Sequence, residues 1–119
     1  MTLKTTRKRT ISDFGDQWRM HGKIEDNWTS NEKFQDHFGD VFDPNVLENK
    51  IVCDVGSGCG RIVKFISRHN PKKIYAIEPS KHGVDSMSKN LVDLNNLEII
   101  NTSGELFKIN QLCDYIISL

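Results

Sequence analysis

The sequence predicts an α/β fold built on a mostly parallel sheet, preceded by a helical segment at the amino terminus. From residue 50 onward, short apolar runs typical of strands alternate with longer segments in which apolar residues recur at helical spacing. A glycine-rich turn joins the first apolar run to the helical segment that follows it. Because strand–helix–strand units connect through right-handed crossovers, the strands are expected to run parallel.

Four strands are expected in the carboxyl-terminal part of the chain. The apolar run 51–55 is the first strand, and the run 73–77 is the second. The third covers 97–101, after the turn signal of two consecutive asparagines, and the fourth covers 115–118. All four runs are short enough to be strands rather than buried helices.

Two connecting helices are expected between these strands. The first follows the glycine-rich turn and ends at Asn70-Pro71, because proline cannot continue a helix. Ser80 can cap the second by accepting a hydrogen bond from its first turn. Their apolar positions are Ile62, Val63, Phe65 and Ile66 in the first and Val84, Met87, Leu91 and Leu94 in the second.

The amino-terminal segment is expected to cover residues 1–44, and the sheet domain 45–119. Residues 1–10 carry four bases and no acid, which indicates a solvated, frayed terminus. The stretch around Trp18 has no clear period, and we expect an irregular loop there that could form a lid over a ligand.

A helix is expected over 31–42 within this segment. Thr29 and Glu32 form a capping box at its start, and Pro44 stops it. Its apolar residues are expected to pack on the sheet and are Phe34, Phe38, Val41 and Phe42.

The bulk composition limits the partners and the location. The formal net charge is zero, which argues against nucleic acid or an anionic membrane surface as the main partner. No secretory signal and no apolar run long enough to span a bilayer is visible, so a cytoplasmic protein is expected. The three cysteines form no Cys-x-x-Cys unit and are expected to be small, reduced, buried side chains. The four histidines are scattered, and no metal site is expected.

The glycine-rich turn, residues 54–60, is the main functional signal. It follows a strand and opens a helix, which is the context in which such a loop binds a ligand. Its glycines permit positive φ and close approach of a ligand. Glu78 lies 22 residues after Gly56, at the end of the next strand, where an acid can accept hydrogen bonds from ribose hydroxyls. Together they predict a nucleoside-containing cofactor.

Arg61 argues against a nicotinamide dinucleotide as this cofactor. The dinucleotide fingerprint requires a small residue at that position for close helix–strand packing. The glycines here occupy alternate positions instead, with an acid two residues before the first.

Asp54-x-Gly56-x-Gly58-x-Gly60, followed by Glu78, resembles the first two motifs of the class I S-adenosylmethionine-dependent methyltransferases. The resemblance implies a Rossmann-like fold, with about four strands present of a seven-stranded sheet, and S-adenosylmethionine as cofactor. It implies that the loop lies against the methionine part and the ribose, that Glu78 holds the ribose hydroxyls, and that Asp54 orients the loop and reaches the ammonium group. The residues it assigns to the cofactor are Asp54, Val55, Gly56, Ser57, Gly58, Gly60, Glu78, Pro79, Ser103, Gly104 and Glu105.

The third motif, residues 103–105, departs from the family pattern. Many members have an aspartate where this chain has Ser103, whose hydroxyl can still hydrogen-bond the adenine edge. Glu105 could take part instead, or be a solvated loop acid.

The methyl acceptor is expected to be a small molecule, since residues 14–18 and 58–61 are loosely similar to bacterial small-molecule methyltransferases. In-line methyl transfer needs mainly orientation, and no catalytic residue is assigned. The chain ends on its fourth strand, which indicates a truncated form, and two copies could pair along the exposed edge 115–118. The alternatives are a non-catalytic cofactor-binding fragment or assembly module and a nicotinamide-dependent oxidoreductase.

Overall fold

A computed structural model of the 119-residue chain describes residues 3–24, 35, 38–108 and 112–119, and the structural statements below concern those residues. A long amino-terminal helix and a short 3-10 helix precede an alternating series of strands and helices. In chain order, these elements are α1 (Leu3–His21), the 3-10 helix Pro44–Leu47, β1 (Ile51–Val55), α2 (Arg61–Ser67), β2 (Lys73–Ile77), α3 (Lys81–Asn90), β3 (Leu97–Ile100) and β4 (Tyr115–Ser118).

The four strands form one sheet in the order β3-β2-β1-β4, and every neighbouring pair is parallel. The central strand β1 aligns Val52 with Ile74 of β2 on one side and with Tyr115 of β4 on the other. The predicted α/β architecture with a parallel sheet is therefore confirmed.

The two faces of the sheet carry separate hydrophobic clusters, because successive strand residues point to opposite sides. The larger cluster joins the sheet to α2 and α3, and its members are Leu47, Val52, Val63, Ile66, Ile74, Ala76, Met87, Leu91 and Ile117. The smaller cluster contains Cys53, Tyr75 and Ile77, with Phe107 and Cys113 among the side chains that pack against it. Most of the apolar positions predicted for the two connecting helices lie in or against the larger cluster, but Phe65 and Val84 do not. Both helices end earlier than predicted, at Ser67 and Asn90, so Leu91 and Leu94 reach the cluster from the residues after α3.

The prediction of an irregular stretch around Trp18 is wrong, and residues 3–10 of the predicted frayed terminus are helical, although residues 8–10 are solvent-exposed as expected. Residues Leu3–His21 form α1, and Trp18 lies in this helix rather than in a loop. The missed signal is the spacing of Ile11, Phe14 and Trp18, which are three and four residues apart as on one helix face.

No helix in the described ranges is long and apolar enough to cross a membrane.

The helix predicted over 31–42 ends earlier than expected. Gln35 and Phe38 are helical, but the chain turns at Gly39, whose φ of 57° is the left-handed conformation that terminates helices. Val41, predicted to be buried, is 95% exposed as a result. Phe38 and Phe42 do pack together against the core, with ring centroids 5.7 Å apart. Thr29, Glu32 and Phe34 lie outside the described residues.

The expectation of three reduced cysteines is also wrong for two of them. Cys53 on β1 and Cys113, just before β4, form a disulfide with a Cα–Cα distance of 6.3 Å. The parallel pairing of β1 with β4 brings together residues that are 60 positions apart in the sequence. Cys59 is free and buried, as predicted.

Candidate cofactor-binding site

The predicted site lies at the carboxyl ends of the parallel strands. The glycine loop follows β1, Glu78 follows β2, and Asn101 follows β3. In parallel α/β sheets this edge is where ligands bind. The fold thus places the two main sequence motifs on adjacent strand ends, as the sequence predicts.

Backbone hydrogen bonds hold the glycine loop against the end of β2. The N–H groups of Gly56 and Ser57 donate to the Ile77 carbonyl at 2.8 and 3.1 Å. Gly56 has a φ of 81°, and an added Cβ there would meet no atom within 4 Å. The residue therefore needs glycine for its backbone conformation. The open space beside it is available to a ligand.

Gly60, unlike Gly56, lies against core side chains rather than open space. A Cβ on Gly60 would lie 2.7 Å from Leu91 Cδ1 and 2.9 Å from Met87 Cγ, and the residue has a φ of 96°. Both neighbours belong to the core cluster on the side of α3. Gly60 consequently allows the glycine loop to pack tightly on the core, which is a structural role rather than a ligand contact.

The Glu78 carboxylate accepts hydrogen bonds from two backbone N–H groups, one in the glycine loop and one before α3. Its Oε1 accepts a hydrogen bond from the Gly58 N–H at 3.0 Å, and its Oε2 accepts one from the Ser80 N–H at 2.7 Å. The side chain is 5% exposed. The carboxylate thus connects the glycine loop to the start of α3 without a ligand. The sequence alone does not reveal these two hydrogen bonds.

Asp54, at the end of β1, is 2% exposed, and its Oδ2 has no hydrogen-bond partner. Burial raises the pKa of Asp54 to about 6, with a smaller opposite effect from the Ser57 hydroxyl and a further increase from the charge of Glu78. The Ser57 hydroxyl donates to the Asp54 backbone carbonyl at 2.9 Å. A buried carboxylate oxygen without a donor marks a position where a cationic or hydrogen-bonding group would be favoured.

Asn101 is a site residue that the sequence analysis did not identify. Its side-chain amide donates to the backbone carbonyls of Glu78 and Pro79, at 2.9 and 3.1 Å. It therefore holds the backbone around the acid in place from the next strand end. Its position as the first residue after β3 was the available signal.

The third motif forms a turn that closes on the glycine loop. The Leu106 N–H donates to the Ser103 carbonyl at 3.0 Å, and a Cβ on Gly104 would lie 2.8 Å from Val55 Cγ1. The turn therefore packs against the last residue of β1. Glu105 is exposed, and neither it nor Ser103 is among the residues lining the cavity described next.

A cavity of about 330 Å³ opens at this edge of the sheet. Three predicted cofactor residues line it, and α1 contributes to its wall. The sequence analysis expects a lid from the amino-terminal segment, but from a loop around Trp18 rather than from Thr10 and Ile11 of a helix. The lining residues are Thr10, Ile11, Gly56, Glu78, Pro79, Ser80 and Leu119. Such a volume is typical of small-molecule sites. Within the described ranges, no group of three or more His, Cys, Asp or Glu side chains could hold a metal ion.

Comparisons with known proteins point to one group of enzymes. No protein-family model matches the chain. It is 30% identical over 76 residues to protein arginine N-methyltransferase 6 of Danio rerio, a match that covers 60% of this chain and 21% of that protein.

Solved structures extend the likeness to the whole chain. Phosphoethanolamine N-methyltransferase 1 of Haemonchus contortus, solved with S-adenosylhomocysteine, matches 99% of this chain and 26% of its own, with a TM-score of 0.73 and 13% identity. Protein arginine methyltransferase 10 of Arabidopsis thaliana matches 76% of this chain and 27% of its own, with a TM-score of 0.61 and 28% identity. The chain thus spans only 21–27% of the length of these relatives.

The resemblance inferred from the glycine loop and Glu78 is confirmed by these likenesses and by the all-parallel sheet. The chain has the fold of the class I S-adenosylmethionine-dependent methyltransferases.

Proposed function

We propose that this chain binds S-adenosylmethionine at the cavity between the glycine loop and Glu78, as part of a methyltransferase that acts on a small-molecule acceptor. The observation that carries the proposal is the meeting of Gly56 and Glu78 on one cavity wall, at the carboxyl ends of adjacent parallel strands. S-adenosylhomocysteine would be the product that remains after transfer.

Glu78 can serve a ribose although both of its oxygens already accept a hydrogen bond. An ionised carboxylate offers about four lone-pair sites. The Gly58 N–H occupies one site on Oε1 and the Ser80 N–H one site on Oε2, so each oxygen keeps a second acceptor site for a ribose hydroxyl. Because the two backbone bonds hold the carboxylate in place, little side-chain freedom would be lost when a nucleoside binds.

Asp54 and Gly56 also fit a cofactor with an amino acid part. The unpartnered Asp54 Oδ2 would favour an ammonium group nearby, directly or through water. The open space at Gly56 allows the ligand to approach the loop backbone. Val55, Ser57, Gly58 and Gly60 would shape this loop, whereas Ser103, Gly104 and Glu105 would bound the adenine side.

The cofactor, when bound, supplies a methyl group on a sulfonium, which is already activated for in-line displacement. The chain's own contribution would be to orient the cofactor and to exclude water, through the loop, Glu78 and the wall formed by α1. A base would be required only for an acceptor that must lose a proton early, and we assign none.

Cofactor choice is tested by equilibrium dialysis with radiolabelled S-adenosylmethionine. We expect saturable binding that unlabelled S-adenosylhomocysteine displaces and NADH does not. Displacement by NADH would favour a nicotinamide-dependent oxidoreductase instead. Absence of binding to the folded chain would leave it without the proposed cofactor site.

The acceptor is tested by transfer of the labelled methyl group. A small-molecule acceptor agrees with the match of phosphoethanolamine N-methyltransferase 1 to nearly the entire chain. A second candidate is an arginine side chain of a protein, which the 30% identity to an arginine methyltransferase favours. Label in low-molecular-weight amines would support the first, and label in arginine-rich peptides the second. Cofactor binding without any transfer would favour a non-catalytic cofactor-binding module.

The proposal includes a homodimer formed through β4. Tyr115–Ser118 is an outer strand of the described sheet, and Ile116 on it is 69% exposed. Edge strands of this kind pair readily with a second copy. Light scattering is expected to give the dimer mass for the unaltered chain and the monomer mass for Ile116→Lys, and a monomer in both cases would contradict the dimer.

A further inference from the structure

Helix α1 runs beside α3 and reaches the candidate cofactor cavity. Thr10 and Ile11 line that cavity, and Gly15, one turn further along, meets the start of α3. A Cβ on Gly15 would lie only 2.7 Å from the Ser80 Oγ. That oxygen already accepts the Gly83 N–H at 3.2 Å, which caps α3. The close contact between the two helices therefore depends on the glycine.

A second contact fixes the chain where it leaves α1. The carbonyl of Gly22, the first residue after the helix, accepts a hydrogen bond from the side-chain amide of Asn90. The same amide nitrogen donates to the carbonyl of Cys59 in the glycine loop, 3.1 Å away. An amide NH₂ group carries two hydrogens, so it can satisfy both carbonyls at once.

We propose that Asn90 is a positioning residue that couples the docking of α1 over the cofactor cavity to the conformation of the glycine loop. The inference rests on the proposed binding of S-adenosylmethionine at this site. A ligand that orders the glycine loop also holds the Cys59 carbonyl in place. Through the Asn90 amide, it then favours the docked position of Gly22 and α1. Thr10 and Ile11 remain on the cavity wall in that position, and the ligand leaves more slowly.

The coupling requires no other residue to change its partners. Asn90 is the last residue of α3, a helix anchored in the core through Met87, so its amide is presented from a fixed element. The two carbonyls that it joins belong to segments 37 positions apart in the sequence, the end of α1 and the glycine loop. A single side chain thus connects the wall of the cavity with the loop that would carry the ligand.

The test compares Asn90→Ala with Asn96→Ala as a matched control. Asn96 is also partly buried and donates its side-chain amide to a backbone carbonyl, that of Pro71, at 2.9 Å. It lies before β3, at the opposite edge of the sheet from the cavity. Asn90→Ala loses two amide–carbonyl hydrogen bonds and Asn96→Ala loses one, but only Asn90→Ala disconnects α1 from the glycine loop.

Two readouts are taken with S-adenosylhomocysteine as the probe: its dissociation rate, and hydrogen exchange of α1 amides with and without it. We expect Asn90→Ala to release the probe about fivefold to tenfold faster. We also expect the probe to protect α1 in the unaltered chain and in Asn96→Ala. In Asn90→Ala it should protect the glycine loop but no longer protect α1.

Two outcomes would contradict the coupling through Asn90. Unchanged α1 protection in Asn90→Ala, or equal effects of the two asparagine variants, would overturn the coupling and leave Asn90 a structural residue only. Absence of binding to the unaltered chain would instead overturn the proposed function, and this inference with it.

Gly15→Val provides a second route if Asn90→Ala does not fold. This change displaces α1 from Ser80 without touching Asn90 or the glycine loop. It is expected to speed release of the probe and to remove α1 protection in the same way, with the loop still protected. Wild-type release from this variant would contradict a role for α1 in retaining the ligand.

Discussion

The carboxylate of Glu78 accepts a hydrogen bond from the Gly58 N–H at 3.0 Å, so the acid expected to bind the ribose also anchors the glycine loop. Glu78→Gln keeps the size of the side chain but replaces one acceptor oxygen with a donor, so it tests the anchoring of the loop without removing the side chain. The new NH₂ group must face a backbone N–H, either that of Gly58 or that of Ser80, because the two carboxylate oxygens accept one each. We expect a loss of about 1–3 kcal/mol in the free energy of unfolding, measured with urea.

Glu98→Gln is the control for this change. Glu98 lies on β3 and is exposed, so its replacement should alter stability by less than about 0.5 kcal/mol. Equal stability of the two variants would mean that the carboxylate does not anchor the loop.

Gly60 should respond more strongly to alanine than Gly39, a glycine outside the loop that also has a positive φ. Gly60→Ala places a Cβ 2.7 Å from Leu91 in the core, and we expect a loss of about 1–3 kcal/mol beyond the cost of a positive φ. Gly39→Ala has a positive φ but no neighbour within 4 Å, so it measures the backbone cost alone, about 1–2 kcal/mol. Thermal or urea unfolding that ranks Gly39→Ala as the more destabilised would contradict the packing role of Gly60.

Gly56→Ala should affect binding more than folding. Its Cβ would meet no protein atom, but it would point into space that the ligand is proposed to use. We expect stability close to that of Gly39→Ala and a markedly weaker affinity for S-adenosylhomocysteine by calorimetry. Wild-type affinity in this variant would show that the ligand does not approach the loop at Gly56.

Stability should depend on pH through Asp54. Burial raises the pKa of Asp54 to about 6 from a model-compound value of 3.8, so the folded chain holds this proton more tightly than the unfolded chain. The free energy of unfolding therefore loses a contribution as pH rises from about 4 to about 6, and the loss levels off above that range. At 1.36 kcal/mol per pH unit, the full effect is about 3 kcal/mol.

Asp54→Asn removes this titration. The stability of the variant relative to the unaltered chain should increase between pH 4 and pH 6 and then stay constant, as measured by urea unfolding at each pH. Parallel pH profiles for the two proteins would contradict a buried, strongly shifted carboxyl group.

The Cys53–Cys113 disulfide should stabilise the oxidised chain. It closes a loop of 60 residues, for which loop-closure entropy gives about 4 kcal/mol. We expect the melting temperature to fall when dithiothreitol is added to the unaltered chain. The double variant Cys53→Ala, Cys113→Ala should show no such response, and an unaltered chain that also ignores the reductant would contradict the disulfide.

Much of the fold could be predicted from the sequence because its signals are local. The first, second and fourth strands begin and end as expected, since short apolar runs with bounding residues such as Pro71, Glu78 and Asp114 leave little choice. Helix α1 was missed because its four early bases suggested a solvated terminus and outweighed the spacing of Ile11, Phe14 and Trp18. The helix before Pro44 was extended too far because Gly39 was not recognised as its end.

The details of the site depend on contacts between distant segments, which sequence patterns do not encode. The Asn101 amide reaches the carbonyls of Glu78 and Pro79 only because β3 lies beside β2. The pairing of Cys53 with Cys113 likewise depends on β4 lying beside β1. The residue types at the centre of the site were predictable, whereas the partners that hold them in place were not.

The central claim is that Glu78 and the glycine loop form a working S-adenosylmethionine site, and calorimetric titration with S-adenosylhomocysteine tests it most directly. We expect saturable binding to the unaltered chain and to Glu98→Ala. In Glu78→Ala we expect binding weaker by about 1–3 kcal/mol, because the charged hydrogen-bond acceptor is lost. No binding to the folded chain, or equal affinity in Glu78→Ala, would contradict a cofactor site at Glu78.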